Sequence, residues 1–523
     1  MEFKRLKFVI FGVMAFVVVF VAFKITYKDD DGESVSNNSE EGVQYENSIR
    51  LGVCNFDTIN PITTKNQQMI YINQLVYEPL LELDQEYKIN LCLATEYAKT
   101  AATTYIIKVD NGVKWSSGTS FSAKDVKFTV ELLKSVDNIY TENVKYISSV
   151  EAIDDSTVKI SLSKEVPFFE YNLIFPIMSQ DYYLGEDFFS AEKFPVGTGK
   201  YKITSVSNSQ IVLEKNESYR YNDKQNKNIQ KIDVLIFDEI GEVYNSFKLG
   251  NIDLMNTSSF LYEDYIGTIG YYVKEYKGRE FDFLSCNCND YLLKQKSVRQ
   301  AINFAIDKGN IVSTIYNNKY YTSDYVLDYG SYIYDNSAVS SGYNPEKAKE
   351  ILLNDGWVYS NNRWKKDGNI LSITISVNSS NVERCEVANL IKSQLENIGI
   401  IVNVKKISDS QYNYYLANKN YQILLTGVYN SYSPDINYFY GDGNIANYKN
   451  DNISNSINDV KNITDQEILK QKYVSIINIT KEDCVYIGLY RNMNFLLINQ
   501  NVVGNFEPSN YSLCYNFESW NRE

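Results

Sequence analysis

Histidine is absent from all 523 residues of this chain. That absence excludes Ser/His/Asp and Cys/His catalytic centres and removes the commonest protein ligand for zinc or nickel. Paired carboxylates could still hydrolyse glycosides, but 65 Asp and Glu spread along the chain single out no pair. Basic clusters are missing beyond the extreme N-terminus and the formal net charge is −14, so no face is marked for nucleic acid. The 7 cysteines are odd in number and scattered. Only Cys286 and Cys288 are close. A lone C-x-C lacks the second pair of a zinc site, and in a strand its two small side chains share one buried face. No catalytic residue, cofactor or metal is expected.

What is present begins with an apolar run. Residues 8–23 carry no charge, the run extends to 6–25, and Lys4, Arg5 and Lys7 stand at its start. About 20 helical residues cross a bilayer core, and the basic flank places the N-terminus in the cytoplasm and the remainder outside. A cleaved signal peptide is the alternative. No small-x-small pair follows the run, which favours an uncleaved single-pass anchor. Residues 1–27 are thus read as cytoplasmic N-terminus and transmembrane helix. Residues 28–48, acidic and nearly free of apolar side chains, are read as a stalk.

The rest alternates strands with helices, the pattern of an α/β fold. "SIRLGV" (48–53), "STVKISL" (156–162), "LSITISV" (371–377) and "IVNVKKI" (401–407) have strand periodicity. "TYIIKVDNGVKW" (104–115) predicts a hairpin at Asn111-Gly112. "FSAKDVKFTVELLK" (121–134) pairs a Ser122/Asp125 capping box with an apolar stripe at Val126, Val130 and Leu133. "SVRQAINFAIDKGNIVSTIY" (297–316) has helical spacing, and "YNPEKAKEILLNDGW" (343–357) runs from an Asn344 cap to Gly356. "EVANLIKSQLENIGI" (386–400) sets Val387, Ile391 and Leu395 on one stripe. "FPVGTGKYKI" (194–203) imitates a phosphate loop. It lacks the early glycine, where Phe194 stands, and the Ser or Thr after lysine, where Tyr201 stands. Gly197 and Gly199 are instead read as a turn that a Cβ would obstruct.

Eight stretches, in order, resemble the landmarks of extracytoplasmic solute-binding proteins of peptide-type ABC transporters, the family 5 group for oligopeptides, dipeptides and nickel. They are "TINP" (58–61), "LVYEPLLELDQEYKINLCLATEY" (75–97), "YIIKVDNGVKWSSGTSFSAKDVKFTVELL" (105–133) and "FPVGTGKYKI", followed by "FKLGNIDLM" (247–255), "SVRQAINFAIDKGNIV" (297–312), "YNPEKAKEILLNDGW" and "QLENIGIIVNV" (394–404). The resemblance implies a two-lobed periplasmic-binding-protein-like fold of type II, in the large cluster with an extra subdomain. Lobe I would comprise 49–278 plus 490–523, with the subdomain at about 77–194, and lobe II would comprise 279–489. It also implies capture of an oligopeptide or related small solute between the lobes, delivery to membrane permease subunits, a monomeric chain and a cell-surface location. A peptide-sensing receptor and a glycan-binding relative are the alternatives on the same fold.

In peptide-binding members an aspartate after a Gly-aromatic pair holds the peptide's amino group. The corresponding stretch here is "TGVYNSYSPDINYFYG" (426–441), where Gly427 aligns with that glycine and Ser431 takes the aspartate's place. Tyr429, Asn430, Ser431 and Tyr432 are the expected ligand contacts, with Lys65 and Gln67 after the Asn-Pro turn and Asn287 at the entry to the second lobe. Serine at 431 and lysine at 65 point to a ligand that is neutral or anionic at that end. Trp115 and Arg299 match family landmarks but are read as structural. Nickel binding through imidazole is excluded by the missing histidine.

Overall fold

The computed structural model describes residues 47–184, 194–221, 225–327, 330–334, 342–461, 463 and 465–523. The expected anchor at 6–25, and all of the expected stalk up to residue 46, lie outside the described residues. No helix among the described residues is long and apolar enough to cross a membrane. Glu46–Glu523 is one compact unit, and its first strand already includes Ser48, which pairs with Lys231.

The strands in chain order are β1 (Ser48–Cys54), β2 (Leu81–Leu83), β3 (Ile89–Leu91), β4 (Ala94–Ala101), β5 (Thr104–Val109), β6 (Ile147–Asp154) and β7 (Thr157–Leu162). Next come β8 (Tyr201–Val206), β9 (Gln210–Lys215), β10 (Lys231–Phe237), β11 (Leu254–Thr257), β12 (Tyr271–Cys286) and β13 (Tyr321–Thr322). After a small meander of β14 (Val358–Ser360), β15 (Arg363–Lys366) and β16 (Asn369–Ile370) follow β17 (Ser372–Asn378), β18 (Ile401–Ile407), β19 (Ile423–Tyr429) and β20 (Tyr486–Asn499). Among the described residues one large mixed sheet runs β18-β17-β19-β12-β20-β11-β1-β10-β9-β8, and a separate antiparallel sheet runs β4-β5-β7-β6.

Two parallel units give the sheet its α/β character. Helix Val382–Asn397 returns the chain from β17 to the parallel β18. Helix Ile240–Lys248 links β10 to β11, both parallel to β1. Antiparallel β12 and β20 join the two ends. The first half of β12 pairs with the second half of β20, which carries β11, and the second half of β12 pairs with β19. One face of the β19 end is covered by helices Lys296–Ala305, Lys308–Tyr316, Pro345–Asn354 and Val382–Asn397, through buried residues such as Ile302, Ile311, Leu352 and Ile391.

Helix Ala123–Ser135 has the expected capping box and buries Val126, Val130 and Leu133; such a cap stabilises by about 1 kcal/mol. Pro345–Asn354 starts on the Asn344 cap as expected, and Gly356 beyond it has φ 85°. Two expectations change. The 297–316 helix breaks at Ile306–Asp307, because the Asp307 carboxylate accepts from Asn310 N at 2.9 Å and caps a second helix. The turn at Asn111-Gly112 forms, but its return is no strand partner of β5, which pairs with β4 and β7. Val113, Trp115 and Phe121 drop into the core instead, each 1 % exposed.

Gly197 and Gly199 are settled by close backbone approach. Gly199 N donates to Val76 O at 2.8 Å and Tyr201 N to Leu75 O at 2.9 Å. A Cβ on Gly197 would overlap the Val76 carbonyl, and one on Gly199 would overlap the backbone of Leu75 and Val76. We expect Gly197→Ala to destabilise the protein by about 1–3 kcal/mol or more through overpacking, read as a lower denaturant midpoint. An unchanged midpoint would show that the Leu75–Val76 segment yields freely.

Candidate functional site

The site begins where β19 passes β12. Arg384 grips Asp282 in two parallel bonds, Nε to Oδ2 and Nη2 to Oδ1, each 2.7 Å, and reaches Glu280 Oε1 at 2.9 Å. Tyr490 donates to the same Asp282 at 2.8 Å. A Cβ on Gly427 would overlap both Arg384 and Asp282, so glycine lets the ion pair lie against β19. Burial, then the Asp282 charge, raises the Glu280 carboxyl while Arg384 pulls it down.

Three residues further along β19 the chain meets an irregularity in β12. Its register with β20 breaks between Lys277 and Phe281. Asn492 Oδ1 accepts from Glu280 N at 3.0 Å there, and Gly278 leaves room for that Asn492 side chain. The bulge presents Arg279, only 2 % exposed. Arg279 donates to the Asn430 carbonyl, and its own carbonyl accepts from Asn430 N at 3.0 Å. Its guanidinium lies 3.5 Å from the Tyr432 ring centroid and 5.1 Å from that of Tyr429. Such stacking suits the planar, weakly hydrated guanidinium better than an ammonium.

The opposite wall is held the same way. Arg491, fully buried, donates to Tyr325 O at 2.9 Å and Leu327 O at 2.7 Å. Asn430 Nδ2 donates to Val326 O at 2.7 Å and ties the two walls together. Between them is a cavity of about 370 Å³, lined by Val326, Leu327, Ser331 and Ile333 and by the stretch from Val428 to Phe439. Its one charged lining residue among those described, Asp435, has Oδ1 occupied by the backbone and side chain of Asn437. The wall is therefore phenol, hydroxyl and hydrocarbon.

Tyr429, Asn430, Ser431 and Tyr432 are brought together at this cavity. Tyr429 is 63 % exposed, whereas Asn430 is spent on holding the loop. Tyr432 donates to Asn510 O at 2.7 Å, and Tyr71 donates to the same oxygen at 3.2 Å. Burial, then neighbouring phenols, keep Tyr71 protonated well above its ordinary range. Lys65 and Gln67 are exposed and line no part of the cavity; Gln68 and Tyr71 take the inward side of helix Gln67–Asn73. Asn287 also stands apart. Its Nδ2 donates to Lys419 O and Tyr421 O, and its Oδ1 accepts from Asn447 and Asn289 N. Arg279 and Arg491 escaped sequence reasoning, since a lone arginine in a strand carries no local signal of burial. Arg299 is structural as read, donating to Asp483 O and Leu293 O.

A ligand-sized cavity thus lies beside two long shared strands. The family model described as "Bacterial extracellular solute-binding proteins, family 5 Middle" matches residues 88–450. The chain belongs to that family. It is 25% identical over 476 residues to the oligopeptide-binding protein AppA of Bacillus subtilis, covering 86% of each chain. It is 24% identical over 385 residues to the glutathione-binding protein GsiB of Escherichia coli, covering 68% of this chain and 69% of that one. Among solved structures, the murein tripeptide-binding protein MppA in its unliganded open form superposes with TM-score 0.79 at 15% identity, covering 91% of this chain and 97% of that one. A nickel ABC transporter protein from Bacillus halodurans superposes with TM-score 0.78 at 20% identity, covering 91% and 100%.

Replacing Asp282 by alanine leaves Arg384 buried without its bidentate partner, at an expected cost of about 3–5 kcal/mol. Equilibrium denaturation checks this, and adding Arg384→Met should recover most of the loss. No recovery in the double variant would mean that the carboxylate acts through something other than Arg384.

Proposed function

We propose that this chain is the substrate-binding component of an ABC importer, capturing oligopeptides or related small solutes and passing them to membrane permease subunits. Family membership and the AppA likeness support the class. The single observation that carries the reading is the tyrosine-lined cavity whose wall hangs from the β12 bulge through Arg279. The importer's energy would come from other subunits; this chain needs no catalytic group.

The proposal divides the chain into a lobe of 49–278 with 490–523, including a subdomain near 77–194, and a lobe of 279–489. The register break at Gly278–Glu280 opposite Asn492 supports a hinge there, since a bulged ladder bends more readily than a regular one. Ligand held by Tyr429, Ser431 and Tyr432 would press on Arg279 and so on the hinge, closing the lobes. Lys65 and Gln67, exposed after the Asn-Pro turn, would meet the ligand from the other lobe only on closure. Asn287 is assigned to the turn it holds. A monomer tethered by residues 6–25 with its folded part outside the cell completes the reading.

With Ser431 in place of an acid, the one carboxylate lining the cavity among the described residues is Asp435, whose Oδ1 is already taken by Asn437. A buried ammonium without its counter-charge loses about 2–5 kcal/mol. Matched free and N-acetylated peptides are therefore expected to compete with affinities within about tenfold of each other; strong preference for the free amine would overturn this specificity. Native mass spectrometry of the full chain, taken gently from its host in mild detergent, should show a retained peptide mass. A retained hexose series would favour the glycan-binding alternative and sink the peptide reading.

A further inference from the structure

A second cavity, of about 450 Å³ and within the range of natural ligand sites, shares no lining residue with the first. It is walled by residues 74–92, the Gly199-Lys200 segment, Tyr219 to Tyr221 and the C-terminal stretch 511–518. At its floor Arg220 pairs with Glu78 at 2.5 Å, both side chains about nine-tenths buried, and donates to Cys92 O at 3.2 Å. At its rim Lys200 pairs with Glu518 at 3.3 Å. Each cation of the cavity thus has its own carboxylate. Glu82 is left over. It stands on β2 between buried Leu81 and Leu83, so its side chain takes the opposite face of the strand, which lines the cavity. It makes no ion pair among the described residues.

Three further observations fit a cationic guest. Tyr219, Tyr511 and Tyr515 line the same space, and aromatic rings around a carboxylate are what a desolvated ammonium or guanidinium requires. Gln74, on the same wall, donates its amide to Tyr511 O at 2.6 Å, which fixes its orientation and leaves Oε1 as an acceptor without a donor. Glu82 is itself solvent-accessible at the cavity mouth; partial desolvation, then the Glu78 charge, raises its carboxyl against the pull of Lys200, Arg220 and a hydrogen bond from Cys92. An arriving cation would relieve that imbalance.

We propose that this cavity is a second binding site, for a ligand bearing an alkylammonium or guanidinium group, with Glu82 as counter-ion and Tyr219, Tyr511 and Tyr515 as its aromatic wall. The site shares no lining residue with the one at Tyr429–Tyr432, although Tyr511 packs edge-on against Tyr432 at 5.7 Å between ring centroids. Its guest is either a free amine or the basic side chain of a peptide.

Calorimetric titration of the full chain with cadaverine, agmatine and Nα-acetyl-lysine amide, near pH 8, tests it. Saturable binding of at least one of these is expected, with none for the uncharged isostere pentanol. Cadaverine or agmatine alone would identify the free amine as guest, and acetyl-lysine amide the peptide side chain. Glu82→Gln should weaken binding about tenfold or more. Should that variant fold poorly, the unmodified protein still decides, because affinity should fall markedly in about 0.5 M salt. Absence of binding by all three cations, or affinity insensitive to both salt and Glu82→Gln, would overturn the proposal.

Discussion

The molecule depends on one antiparallel ladder, that between β12 and β20. It carries β11 and the β1-β10-β9-β8 end on one side and β19-β17-β18 on the other. A ladder of ordinary length would serve a single hydrophobic core. This one runs from Tyr271 opposite Asn499 to Ser285 opposite Tyr486, and separate clusters of buried side chains pack against its two ends. Its single large irregularity, at Gly278–Glu280, is where the candidate site is attached. One backbone amide released by the bulge, Glu280 N, is satisfied by the Asn492 side chain.

Buried arginines do most of the tying. Arg384 joins β12 to helix Val382–Asn397, Arg491 joins β20 to the Tyr325–Leu327 wall, and Arg279 joins the bulge to Asn430. At the far end Arg50 and Arg522 converge on Asp253, itself wholly buried, linking β1 to the C-terminus. The net stability from such pairs is small, because desolvation offsets most of the Coulomb attraction. Their value lies in geometry. A planar fork with five donors accepts only a narrow set of arrangements, and a wrong register would leave a charge buried alone.

Local structure was largely legible. Ser122 and Asn344 cap their helices through their own side chains as read, and the segments with period-two alternation form strands. The stretch at 429–432, singled out by its glycine-aromatic spacing, lines the cavity beside β12. Misreadings arose where a residue's fate depends on distant chain. The return after Asn111-Gly112 looks like a strand until Trp115 finds a core to enter. Asn287 looks like a cleft residue until Lys419, Tyr421 and Asn447 converge on its amide.

By itself the sequence determined the α/β character, the caps, the lack of imidazole chemistry and the order of family landmarks, all of which follow from spacing or presence along the chain. Only the tertiary structure decided that Gly197 and Gly199 lie against Leu75–Val76, and that Gly427 makes room for an ion pair rather than a turn. It alone placed Arg279 beneath Tyr432 and left Glu82 facing a cavity without an ion pair among the described residues. These are properties of residues far apart in sequence, and close approach between distant segments leaves no periodicity to read.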